Sequence, residues 1–90
     1  MDRQQITAWL NDTIETLADI EHERWVHWQR YVHSKCMSLP DGTLVIPSDL
    51  AAQWERQMAT PYCGLSEQEK ESDREQVRKY LPSIVEALSD

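Results

Sequence analysis

Phenylalanine is absent from these 90 residues, and glycine and cysteine each occur only twice. Gly42 and Gly64 are isolated, so no glycine-rich loop can cradle a phosphate with its backbone N–H groups. Cys36 and Cys63 stand in no zinc or redox spacing and read as free thiols of a cytoplasmic protein. The longest aliphatic run, Leu44-Val45-Ile46, is far too short to cross a membrane, and the polar start Met1-Asp2-Arg3-Gln4-Gln5 predicts no signal peptide. Positive charge is scarce as well. Nine basic against sixteen acidic residues give a net charge of −7, which repels nucleic-acid backbones and anionic lipid.

Four tryptophans are present, Trp9, Trp25, Trp28 and Trp54. A chain this short makes one domain, residues 1–90, and buries only about 60–65% of its unfolded surface. Its core is therefore thin. The tryptophans either carry that core or form a recognition surface, and spacing alone does not decide between the two.

Helical periodicity dominates. Ile6, Leu10, Ile14, Leu17, Ala18, Trp25, Trp28 and Val32 stand repeatedly three, four or seven apart, with no proline or glycine between Arg3 and Ser34. One long helix is predicted, with a break near Asn11–Thr13 where Asp12 can cap a new start. Pro40-Asp41-Gly42 predicts the turn of a short hairpin. Pro47-Ser48-Asp49 opens another helix, capped by Ser48, that carries Leu50, Trp54 and Met58. Ser66 and Glu69 form the pattern of a capping box for a further helix, with Leu65 as its staple. Pro82 starts or kinks a final segment. The fold class is thus mainly α: a compact helical domain with two long helices, one or two short ones and a short β-hairpin.

Catalytic signatures are missing. His22-Glu23-Arg24-Trp25-Val26 begins like a zinc-protease helix, but Val26 stands where the second histidine belongs. His22, His27 and His33 do not share a helical face, and His33, Cys36 and Cys63 make only a loose metal pattern. No nucleophile elbow or catalytic cysteine motif is present. A non-enzyme with no cofactor and no metal is expected. The strongest remaining signal is aromatic: Trp25 and Trp28 are helical neighbours beside Glu21 and His22, a set able to stack on a planar ring and bond its edges.

Two stretches together resemble the ryanodine-receptor-type (RyR) domain family. One is Ile20-Glu21-His22-Glu23-Arg24-Trp25, with a histidine three residues before a tryptophan. The other is Thr60-Pro61-Tyr62-Cys63-Gly64-Leu65-Ser66-Glu67-Gln68-Glu69-Lys70-Glu71-Ser72-Asp73-Arg74, which resembles the acidic opening of the family's second long helix. The resemblance spans residues 17–81. Ser66 replaces the family's proline, Ser72 stands where many members have tyrosine, and the glycine-aromatic turn after the first helix is missing. The resemblance implies a short stand-alone bacterial or phage member that binds a nucleotide or nucleotide-derived signal. In a phage it implies sequestration of an immune signal. It adds Tyr62, Lys70 and Arg74 to Glu21, His22, Trp25 and Trp28 as ligand-binding candidates, with Arg74 as the partner of Glu21. It also implies pairing with a second copy, in imitation of the receptors' tandem units, and Leu50, Trp54 and Met58 offer one contact surface. A protein-interaction module without a small ligand is the alternative.

Overall fold

The computed structural model describes residues 1–89. Five helices and one hairpin follow one another: α1 (Arg3–Asn11), α2 (Ile14–Lys35), β1 (Met37–Ser38), β2 (Leu44–Val45), α3 (Ser48–Ala59), a 3₁₀ turn (Tyr62–Gly64), α4 (Glu67–Arg78) and α5 (Leu81–Leu88). The mainly helical architecture and the short hairpin agree with the sequence expectation. No helix is long and apolar enough to cross a membrane.

The break between α1 and α2 falls where expected, but Asp12 does not cap α2. The residue before α2 is Thr13, and its hydroxyl donates backward to the Leu10 carbonyl at 2.6 Å. It closes α1 instead of opening α2, a local competition typical of threonine at a helix end. The start of α1 carries a capping box that sequence reading missed. Asp2 accepts from the Gln5 amide at 2.8 Å, and the Gln5 side chain accepts from the Asp2 amide at 3.1 Å.

The hairpin pairs Met37 with Val45 and Ser38 with Leu44, antiparallel. Gly42 closes the turn at φ +89°, a region that a Cβ disfavours, and Asp41 accepts from the Thr43 amide at 2.9 Å.

At α3 the helix begins with Ser48 itself, after Pro47, and no side chain caps it. Ser48 is therefore the first helical residue and not the cap, contrary to expectation. Ser66 does cap α4: its hydroxyl accepts from the Glu69 amide at 3.1 Å while the Glu69 carboxylate accepts from the Ser66 amide at 3.0 Å. Between Arg78 and Leu81 the backbone stays in the right-handed helical region, so α5 nearly continues α4.

The helices spread into a slab of 55 × 34 × 17 Å. α1 packs on α5, and α5 on the end of α4. No apolar side chain is fully buried among the described residues, and Gln76 is the one buried residue. Trp9, Trp28 and Trp54 are half-buried and Trp25 is exposed.

The two serines are thus unequal. Replacing Ser66 with Ala should cost about 1 kcal/mol, the usual value of an N-cap bond, whereas Ser48→Ala should stay within about 0.5 kcal/mol. Urea unfolding followed by circular dichroism checks the difference. Equal midpoints for the two variants would reject this assignment of caps.

Candidate functional site

Two side-chain junctions join the helices. The first is centred on Glu69. Gln57, near the end of α3, donates to its carboxylate at 2.6 Å, and Arg56 approaches the same oxygen at 3.5 Å. The other carboxylate oxygen is used by the cap described above. These bonds, with Gln57 foremost and Ser66 next, hold the Glu69 carboxyl at about 2, far below its ordinary value of 4.5. The second junction joins α2 to the end of α4. Tyr80 donates to Glu21, and Arg24 grips the same carboxylate at 2.5 Å. Glu21 is consequently held below the usual carboxylate range, by Tyr80 first and Arg24 second.

The first junction positions an open cleft of about 1070 Å³ between α2, α3 and the start of α4. It is lined by the aromatic and apolar side chains of Trp28, Tyr31, Trp54, Met58 and Leu65 together with Arg56, Glu69 and Asp73. The rings of Tyr31 and Trp28 meet in an edge-to-face pair at 5.9 Å, and those of His27 and Trp28 at 5.1 Å. Such edge-to-face pairs fix ring orientation and leave part of the indole face open. Trp54 and Met58, expected as part of a contact surface for a second copy, line this cleft.

The sequence-predicted site divides into three groups. Trp28 lines the cleft. Glu21, His22 and Trp25 lie together on α2: His22 stacks on Trp25 at 5.9 Å, and Glu21 is tied to Arg24 and Tyr80. Tyr62, Lys70 and Arg74 form a third group, with the Lys70 ammonium 5.7 Å from the Tyr62 ring centre. The expected pairing of Glu21 with Arg74 does not form. Arg74 instead lies 3.3 Å from both Glu67 and Glu71 on its own helix, and its guanidinium is held more firmly protonated by Glu71, Tyr62 and Glu67. The physical reason is proximity: acids one or two turns away on α4 reach Arg74 without any tertiary contact. Tyr80, the partner that Glu21 does take, lies 59 positions along the chain, and nothing in local spacing marks it.

The cations nearest these groups are similarly engaged. Lys70 pairs with Glu67 at 3.6 Å, and Arg78 with Glu71 at 2.5 Å. Cys36 and Cys63 are free thiols. Among the described residues no three histidine, cysteine or carboxylate side chains converge as a metal site. Sequence reasoning missed Tyr31, Gln57, Glu69 as a tertiary anchor, and Asp73. Tyr31 and Gln57 had a signal only in helical phase, each three residues after a tryptophan of its own helix, Trp28 and Trp54.

No family model, curated protein or solved structure matches this chain.

The Glu69 junction predicts a pH dependence. Its carboxyl has a lower pKa in the folded than in the unfolded chain, so its stabilisation is complete above the ordinary value of 4.5 and is lost as pH falls toward about 2. Glu21 and Glu71 are shifted in the same direction and add to this loss. Melting temperature measured from neutral pH down to this window should drop steeply for the parent and less steeply for Glu69→Gln. Parallel curves would show that Glu69 is not the anchor.

Proposed function

We propose that the protein is a non-enzymatic binding module that acts through protein–protein contact, with the cleft between α2, α3 and α4 as its contact site. The observation that carries this reading is the lining of the cleft, which combines the aromatic rings of Trp28, Tyr31 and Trp54 with the carboxylates of Glu69 and Asp73. A groove of this kind suits an apolar side chain flanked by lysine or arginine on a partner segment. Its open form and its volume suit a peptide segment better than an enclosed small molecule. The net charge of −7 speeds encounter with a basic partner. The free thiols suit a reducing compartment, so we place the protein in the cytoplasm.

A second reading keeps the small ligand that the RyR-type resemblance implies. It is favoured by the rings of Trp28, Tyr31 and Trp54 in the lining of the cleft, on which a flat base can stack. Arg24, Lys70 and Arg74 pair with acids outside the lining of the cleft, whereas Arg56 lines it, 3.5 Å from Glu69. A ligand in the cleft would therefore stack through its ring and meet Arg56 with its phosphates.

Panning a random peptide library on the purified protein separates the two. Enriched peptides should carry an aromatic or aliphatic residue beside lysine or arginine. Their affinity should fall roughly ten-fold in Trp28→Phe or Asp73→Asn and weaken with added salt. A thermal shift with nucleosides, nucleotides or cyclic dinucleotides, with no enrichment in the panning, would displace the protein-partner reading in favour of the small ligand.

A further inference from the structure

Among the described residues two carboxylates line the cleft, Glu69 and Asp73, and they differ in what they already hold. They stand four residues apart on α4, one turn from each other on the same face. Glu69 is fully engaged. One oxygen accepts from the Ser66 amide at 3.0 Å, the other accepts from Gln57 at 2.6 Å, and Arg56 lies 3.5 Å from that second oxygen. Its side chain is only 19% exposed.

Asp73 is exposed, and among the described residues its carboxylate has no hydrogen-bond or ion-pair partner. The bases around it are matched to other acids. Lys70, three residues before it, pairs with Glu67 at 3.6 Å, and Arg74, the next residue, lies 3.3 Å from both Glu67 and Glu71. Arg24, on which the charge of Asp73 acts, is gripped by Glu21 at 2.5 Å. The one arginine in the lining, Arg56, stands against Glu69. Like charges one turn apart on a helix repel, so an unmatched Asp73 beside an ionised Glu69 weakens α4. Asp73 therefore does nothing for the fold that its neutral amide would not do.

The rest of the lining selects among cations. An ammonium is a compact, strongly hydrated point charge. A guanidinium is planar and weakly hydrated, takes a carboxylate through two parallel N–H···O bonds, and stacks on aromatic rings. Asp73 offers two unengaged oxygens, and Trp28, Tyr31 and Trp54 offer rings in the same lining.

We propose that Asp73 is the specificity-determining residue of the cleft and that the group it reads is the guanidinium of an arginine on the partner, while Glu69 serves only to hold α3 on α4. This rests on the protein-partner reading above and narrows it from a basic segment to an arginine-bearing one. A single arginine is enough, because a single carboxylate in the cleft is unmatched.

A peptide enriched on the full chain is made with arginine, lysine or citrulline at its basic position, citrulline being the neutral isostere of arginine, and each form is titrated by tryptophan fluorescence. The arginine form should bind at least about ten-fold tighter than the lysine form, and the citrulline form weakest. In Asp73→Asn the three forms should bind within about three-fold of one another, with the melting temperature unchanged or raised. Glu69→Gln should lower the melting temperature and keep the preference for arginine. Equal binding of the arginine and lysine forms to the parent would overturn the proposal, as would a preference for arginine that survives in Asp73→Asn. In both cases the peptide still binds, so the protein-partner reading stands. If no peptide is enriched at all, that reading falls and the proposal falls with it.

Discussion

The arrangement of the molecule depends on one carboxylate. Glu69 accepts from the Ser66 amide and so completes the cap of α4, and it accepts from Gln57 near the end of α3. A single side chain thereby sets where α4 begins and how α3 is tethered to it. The segment between them, Thr60 to Leu65, holds Pro61, whose ring fixes φ, and a 3₁₀ turn, so the joint has little freedom. With α3 tied there, Trp54 joins Trp28 in the lining of the cleft. A hydrogen-bonded, charged acceptor is well suited to this task in a thin slab. Its bonds are directional, whereas scattered half-buried apolar contacts fix no angle.

The second joint, Glu21 with Tyr80, works at the other end of α4 and uses a different balance. The ionised Glu21 is favoured by the tyrosine hydroxyl and by Arg24, while the tyrosine proton is held more tightly in return. Neither partner is buried, so the bond acts chiefly as a register device that keeps α2 and α4 antiparallel. The cost falls on chemistry. Arg24, Lys70, Arg74 and Arg78 each spend their charge on a neighbouring acid, and a chain of net charge −7 has few others to offer an anion.

Local features were legible in the sequence and tertiary ones were not. The Ser66–Glu69 box, the turn at Pro40-Asp41-Gly42 and the final helix beginning beside Pro82 all follow from residue types at short spacing, and each is found. Two capping assignments failed because several hydroxyl or carboxylate residues stood within a turn of one another. At Asp12-Thr13 the threonine turned back to Leu10, and at Pro47-Ser48 the helix began one residue early. The candidate site was only partly legible. Helical phase made Trp25 and Trp28 neighbours, but it could not show that Trp28 lines the cleft while Trp25, three residues earlier, lies outside it. Nor could it find Tyr80 as the partner of Glu21 in place of Arg74, because that choice is made by how two helices pass each other and not by either helix alone.

A thin fold has a further consequence for its aromatic residues. In a thick domain a tryptophan can be either core or surface, and the two roles are separable. Here Trp9, Trp28 and Trp54 are each half-buried, so the same ring both holds helices together and faces outward. Tryptophan tolerates this double position because one edge carries an N–H while the rest of the ring is apolar, a combination that phenylalanine lacks. The absence of phenylalanine is then in keeping with a chain whose large side chains seldom lose contact with water completely. The acidic excess completes the arrangement. Exposed apolar faces invite indiscriminate association, and a strong net charge of one sign opposes it at long range while leaving short-range, shape-matched contact intact. On such a surface, apolar contact supplies affinity and charge supplies selection. In the cleft the two are combined, since carboxylates and aromatic rings share one lining.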